Sequence, residues 1–498
     1  MISPLVRNAI MAVLEALCAA ATALLLIRVI IADLGVVALG VWAVVAATLS
    51  FSQVADISLA GALQKFVPGA MSQGHTDSAI RYIETALAVV IPVYLLIAVI
   101  GEPLFSFLLR VSISGDGIAM ALQILPYSLL VFWLANVAMV PLSALAGLQR
   151  YDLRSAISIV GILLQFTGAI LLIPRYGILG LVIAQILQNA FMLACGYIVL
   201  RRTLPGIARV PLRFSRAHFR EMVSYGSKIQ LTGIALFLFE PTTKLILSNV
   251  SGLAWVGYYE MATRLAKQVR QLIVSASQVT VPALAHAQER DVDGAFYFYV
   301  QMFKVHWILA WPVMGTLAAL TPAIAALWFG NGSNLFVVMA LPVIAAWAVN
   351  LTAAPAYFMS LASGKLRWNL IGMFVMSTVN TIFAFLLGYL IGGWGVIAAA
   401  TGGLAAGSIC MIVGNHLQAG GRLRQILDMP SAAILVMSVA GAAVSLLAFH
   451  PAMEWLGMLP AILAVLAIMA VSTGIPISLH PISGQILRSL LSRLSHAR

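Results

Sequence analysis

The sequence predicts an all-α polytopic membrane protein of about 14 transmembrane helices, built as two six-helix lobes related by a parallel internal repeat, plus two C-terminal helices. Three observations predict it. Of the 498 residues, 62% are hydrophobic and only 9% are charged, and the mean hydropathy is +1.02, the balance of a chain whose solvent is mostly lipid. Apolar runs of spanning length follow one another along the whole chain. Short motifs recur at one fixed offset, the mark of duplication.

The first apolar run, 9–31, is too long for the apolar region of a signal peptide and is followed by further spans, so it reads as the first span. The others fall near 36–60, 82–101, 119–146, 155–174, 178–199, 226–249, 254–283, 304–322, 335–361, 369–391, 395–417, 431–449 and 455–477. With both termini cytoplasmic, nineteen of the 28 Lys and Arg residues lie inside and only Arg110 and Arg175 outside, which is the positive-inside asymmetry and fixes the orientation. Most of the net charge of +12 is therefore topological and implies no nucleic-acid partner. Seven cations remain in or at the edges of spans: Arg28, Lys228, Lys244, Arg264, Lys267, Arg270 and Lys304.

Two matches share an offset of 217 residues: Gly35–Trp42 (GVVALGVW) with Gly252–Tyr259 (GLAWVGYY), and Gly147–Leu153 (GLQRYDL) with Gly364–Leu370 (GKLRWNL). Val67-Pro68 and Val281-Pro282 correspond at 214, a small length change inside the second span of each half. Six spans per half is an even number, so the two copies share one orientation and the repeat is parallel. The expected organisation is an N-lobe over 1–203, a cytoplasmic linker over 204–225, a C-lobe over 226–418, and two spans with a cytoplasmic tail over 419–498.

In the linker, Arg209, Arg213, Arg216 and Arg220 follow a 4, 3, 4 spacing, which would give one basic face if helical; an ordinary basic loop is the other reading. Cys18, Cys195 and Cys410 sit in apolar runs without metal-like spacing and read as small apolar residues. Gly402, Gly403 and Gly407 suit close helix packing. Asn350-Leu-Thr fits a glycosylation sequon by chance, inside a span. No outer connection is long enough for a catalytic domain, and no nucleophile–base constellation or metal cluster is present, so neither an enzyme nor a cofactor is expected.

The strongest functional signal lies in the eighth span. At 100° per residue Glu260, Arg264, Lys267, Gln271 and Gln278 share a narrow arc, with Arg270 about 80° to one side. Charges inside a span cost several kcal/mol each and normally face a bundle interior or a wet cavity. Two readings are open: a Glu260–Arg264 ion pair with the other cations paired or snorkelling, or a cationic site for an anionic group such as phosphate. Three cations against one acid favour the anion site. At offset 217 the counterparts of Arg264, Lys267 and Arg270 are Ala47, Ser50 and Gln53, so the cationic character belongs to the second copy. Arg28 would snorkel or add to this site. Glu240 and Lys244 are spaced for a local pair, and Glu15 and Asp56 are intramembrane acids that would be satisfied by a neighbour or couple transport to protons. Tyr258, Tyr259, Trp311 and Trp347 are candidate sugar-contacting aromatics or packing anchors.

The segment from Gly257 to Pro282 resembles the signature of polysaccharide and O-antigen exporters, the lipid-linked oligosaccharide flippases of the multidrug/oligosaccharidyl-lipid/polysaccharide (MOP) superfamily: Gly257, Tyr259, Ala262, Arg264 and Leu265, then Pro282. Arg28, Gly35, Gly40 and the stretch from Asp56 to Pro68 are similar too. The resemblance implies a transporter of the bacterial cell inner membrane that moves a polyprenyl-pyrophosphate-linked oligosaccharide between leaflets by alternating access, with Arg264 at the matched motif position. Its expected partners are that substrate, membrane lipids and other polysaccharide-assembly proteins, and the transporter itself is expected to be a monomer. A lipid II flippase shares these features. A multidrug or cation exporter would usually have twelve spans and cavity acids, and a polymerase or ligase would need a large outer loop.

Overall fold

The computed structural model describes residues 4–51, 59–115, 117–209, 213–237, 239–277, 284, 292–330 and 333–483. They form an all-α membrane protein of seventeen helices, as expected of a chain that must satisfy its backbone groups internally in lipid. Nearly all the described residues of the fourteen apolar runs lie on helices. By length and composition ten helices can cross a membrane, and a bent pair makes an eleventh. The described part of the second run shares one long candidate with the first, Ile10–Ser50, and the helix of the eighth run is excluded by its four charges.

The chain divides into two compact units, 1–257 and 258–498. The first holds α1 (Pro4–Ser50), α2 (Leu59–Ser72), α3 (Thr76–Ser112), α4 (Gly117–Gly147), α5 (Tyr151–Tyr176), α6 (Ile178–Thr203), α7 (Arg216–Phe237) and α8 (Phe239–Ser251). α9 (Leu253–Ser277) begins there and continues into the second unit. The second unit adds α10 (Val292–Ala319), α11 (Thr321–Phe329), α12 (Asn334–Thr352), α13 (Ala354–Ser363), α14 (Arg367–Ile391), α15 (Gly393–Gln418), α16 (Met429–Leu456) and α17 (Met458–Leu479). The boundary falls within α9, beyond the basic connection, because α7 packs on α2 and α3, and α8 on α1 and α3.

That connection is not one helix. Its described residues before Arg216 form turns and irregular backbone, so only Arg216 and Arg220 of the four arginines lie on a helix. It is tied down by polar contacts: fully buried Glu84 accepts the Ala208 N–H through Oε1 (3.0 Å), Tyr197 donates to the Ala208 carbonyl (2.6 Å), and Ser215 N–H donates to Thr85 (3.1 Å). Leu63, Val67, Ile83, Leu87, Leu145 and Met222 form the core between α2, α3, α4 and α7.

Glycine sets the junctions. Gly35 (inside α1), Gly177, Gly252, Gly392 and Gly457 all have φ between 59° and 87°, the left-handed region that glycine enters without steric cost. Each turns the chain from one run into the next with a single residue. Gly35 and Gly252 are equivalent at offset 217. Gly177 and Gly392 repeat one another at an offset of 215, down to the hydrogen bonds Gly177 N–H to Ile173 and Gly392 N–H to Gly388. A Cβ on Gly40 would lie 1.9 Å from the Leu253 carbonyl oxygen, and one on Gly257 would lie 2.4 Å from that of Val36. Since Val36 and Gly40 become Leu253 and Gly257 at offset 217, the crossing of α1 with the start of α9 is reciprocal.

In the second unit α14 and α15 approach equally closely, with a Cβ on Gly407 only 2.4 Å from the Gly372 carbonyl and one on Gly403 2.8 Å from that of Met376. Gly402, expected to join them, meets nothing within 4 Å.

Candidate functional site

The charged face of α9 forms on a regular helix. Glu260 is buried, and its carboxylate accepts the Arg264 Nε–H at 2.5 Å, one turn away. The local ion pair is thus present, and the Arg264 side chain remains 26% exposed. Lys267 and Arg270 converge on a different group, the indole of Trp347 on α12. The Lys267 ammonium stands 5.7 Å and the Arg270 guanidinium 5.6 Å from the ring centroid, both in the range of cation–π attraction.

Arg270 is held further by Asn350, whose Oδ1 accepts its Nε–H at 2.7 Å. The amide nitrogen of Asn350 donates to Ser408 Oγ (2.9 Å), and Ser408 donates to the Leu404 carbonyl (2.7 Å). The relay runs α9 to α12 to α15 and fixes the guanidinium. Among the described residues Nε is the only donor of Arg270 with a hydrogen bond, so its remaining N–H groups are available to an oxygen-rich anion.

The other expected site residues are placed as follows. On α1, Arg28 is exposed, and Glu15 is half-buried with no ion pair among the described residues. On α8, Lys244 is buried and Glu240 half-buried, and both are engaged. These four belong to the first unit. Asp56, Gln278 and Pro282 lie outside the described residues. Gln271 is exposed and donates to Ser275 on its own helix (3.2 Å). Among the aromatics, Tyr258 packs on Phe329 (5.6 Å), Tyr259 is buried, and Trp311 stacks on Trp307 (5.8 Å). Trp347 meets the charged face of α9.

Asn350 and Ser408 are the site residues that sequence reading passed over. The signal was there, since an amide inside an apolar run must find a partner, but the sequon diverted it.

A bundle of helices spanning a membrane, with a positioned cluster of cations inside, defines the class. The profile of the family described as polysaccharide biosynthesis protein matches residues 85–337, and the chain belongs to that family. A search of curated protein sequences finds no match. Among solved structures the fold is that of MOP-superfamily transporters. The lipid II flippase MurJ in its inward closed conformation matches with a TM-score of 0.72 at 12% identity, covering 97% of this chain and 99% of that one. An inward-facing multidrug resistance MATE family transporter gives 0.69 at 14%, over 80% and 93%, and an outward-facing one gives 0.59 at 15%, over 84% and 95%.

Proposed function

We propose that this protein is a transporter that flips a polyprenyl-pyrophosphate-linked oligosaccharide from the inner to the outer leaflet of the bacterial inner membrane by alternating access, for polysaccharide or lipopolysaccharide assembly. The observation that carries this reading is Arg270, oriented through Nε by Asn350 and flanked by Lys267 over Trp347, with its other donors turned to no described protein group. In a low-dielectric cavity such donors bind phosphate oxygens far more strongly than in water. Arg264 adds charge tempered by Glu260. The family match supports a glycan substrate, and the chemistry required is translocation rather than bond making. The two six-helix lobes and C-terminal pair are part of this proposal, supported by the glycine equivalences at offsets 217 and 215.

Flipping of lipid II is the second reading, favoured by the end-to-end likeness to MurJ. Vesicles reconstituted with the purified protein and loaded in one leaflet with either a pyrophosphate-linked oligosaccharide or lipid II test both. Arg264→Ala combined with Lys267→Ala is expected to abolish transfer while leaving insertion intact. Normal transfer by the double variant sinks the pyrophosphate site. Imposed proton, sodium and voltage gradients separate the drivers; an inside-negative potential helps an anion outward by about 2.3 kcal/mol per charge per 100 mV.

A further inference from the structure

In the first unit, α2 and the first turns of α7 form an open groove of about 570 Å³ lined by Lys65, Phe66, Arg220, Glu221, Ser224 and Tyr225, with the charged side chains exposed. Its floor is aromatic. The Lys65 ammonium stands 4.1 Å from the Tyr225 ring centroid and 5.4 Å from that of Phe66. Phe66 stacks on Tyr82 at 5.1 Å and meets Tyr225 edge-on at 5.8 Å. Glu221 accepts the Tyr82 hydroxyl through Oε2, which fixes the carboxylate on the wall. Among the described residues its Oε1 accepts no hydrogen bond, and neither Lys65 nor Arg220 forms an ion pair.

Position narrows the ligand. Lys65 lies two turns before the end of α2 at Ser72, and Arg220 one turn after the start of α7 at Arg216. The charge asymmetry predicts that both segments face the cytoplasmic head groups, so a lipid head group is within reach of the two cations. Charge narrows it further. Two cations suit a phosphodiester, but the carboxylate would repel a ligand that carries only negative charge. A ligand with a phosphate and a neighbouring ammonium satisfies all three groups.

We propose that this groove binds a phosphodiester head group bearing a primary ammonium, with the phosphate between Lys65 and Arg220 and the ammonium on Glu221 over the Phe66 and Tyr225 rings. A primary ammonium donates a hydrogen bond to Glu221, whereas a trimethylammonium has no N–H and a glycerol head group has no positive charge. The inference stands apart from the transport reading, since it involves neither α9 nor the transported glycan.

The test is native mass spectrometry of the purified full-length protein with equal amounts of phosphatidylethanolamine, phosphatidylcholine and phosphatidylglycerol. Wild type is expected to retain phosphatidylethanolamine about ten-fold better than the other two, the value of one charge-assisted hydrogen bond. Lys65→Ala with Arg220→Ala should bring all three to one background level. The near-isosteric Glu221→Gln should erase the preference while keeping phosphate-dependent retention, and it carries the test alone if the double variant does not fold. Displacement by soluble glycerophosphoethanolamine assigns the site to the head group alone, and failure to displace assigns it to the intact lipid. Equal retention of the three lipids by wild type, or retention unchanged in Glu221→Gln, overturns the proposal.

Discussion

Arg270 donates its Nε–H to Asn350 Oδ1 across 2.7 Å, and the same amide passes its N–H to Ser408. An amide bound at both ends has one orientation, and so does the guanidinium it holds. The remaining donors of Arg270 are thereby aimed without being used by Asn350.

Asn350→Ala should therefore weaken transport more than it weakens the fold. Loss of one hydrogen bond to a half-buried charged group costs about 1–3 kcal/mol, read as a drop in melting temperature, while pyrophosphate affinity falls because the guanidinium is no longer positioned. Asn350→Asp separates the two effects. Its carboxylate should keep Arg270 in place as an ion pair, losing only the N–H given to Ser408, so the melting temperature should fall less than in Asn350→Ala while anion affinity drops because the charge is neutralised. Undiminished pyrophosphate binding by Asn350→Asp would remove Arg270 from the site.

The reciprocal glycine crossing gives a second expectation. Gly40→Ala and Gly257→Ala each drive a methyl group into a backbone carbonyl, which cannot swing aside as a side chain can. Each should cost at least about 1–3 kcal/mol by overpacking, or prevent folding altogether. Gly61→Ala on α2 meets nothing within 4 Å and gains helix propensity of up to about 1 kcal/mol. Thermal melts of the three variants in one detergent check the ranking, and a harmless Gly40→Ala would show that the crossing is not tight.

Stability should fall with acidification in two steps set by one cluster in the second unit. Burial would raise the Asp428 carboxyl, but hydrogen bonds from Ser431 and Lys304 and the Lys304 charge outweigh it and hold the group below its ordinary 3.8. The contacts are 3.0 Å to Ser431 N–H and 3.1 Å to Lys304. His480 is buried, and burial pushes its imidazole below 6.5 despite the opposing effect of Asp428, with Lys304 adding to the drop. Both folded values are depressed, so each contribution is complete above the unfolded value and is lost as pH falls towards the folded one. The melting temperature should decline first below pH 6.5 and again below 3.8. His480→Gln should flatten the first step alone; an unchanged first step would assign it elsewhere.

The fold was largely legible because lipid imposes a coarse rule: apolar runs of spanning length suffice to place helices. The 217-residue repeat was legible where glycine pairs stayed in register, but the 215-residue repeat of Gly177 and Gly392 was not, since a two-residue shift hid the match. The charged face of α9 followed from periodicity, and so did the Glu260–Arg264 pair, because both are local. The meeting of Lys267 and Arg270 at Trp347 was not, for it joins residues about eighty positions apart through packing that no spacing encodes. For the basic connection before α7 the spacing left a helix and a loop equally open, because the contacts of its backbone with Glu84, Tyr197 and Thr85 are not local.

The single-glycine junctions at Gly35, Gly177, Gly252, Gly392 and Gly457 all join an odd-numbered run to the even-numbered one after it. If the chain makes fourteen alternating crossings with cytoplasmic termini, as the charge asymmetry predicts, these turns would fall on the outer face. A protease needs an extended segment of several residues to thread its cleft, and an antibody needs a comparable epitope; these five turns offer neither. Cells treated from outside should therefore keep the chain uncut at these turns, and a reporter epitope inserted to follow the protein on living cells belongs at 113–116 or 330–333, between α3 and α4 or α11 and α12.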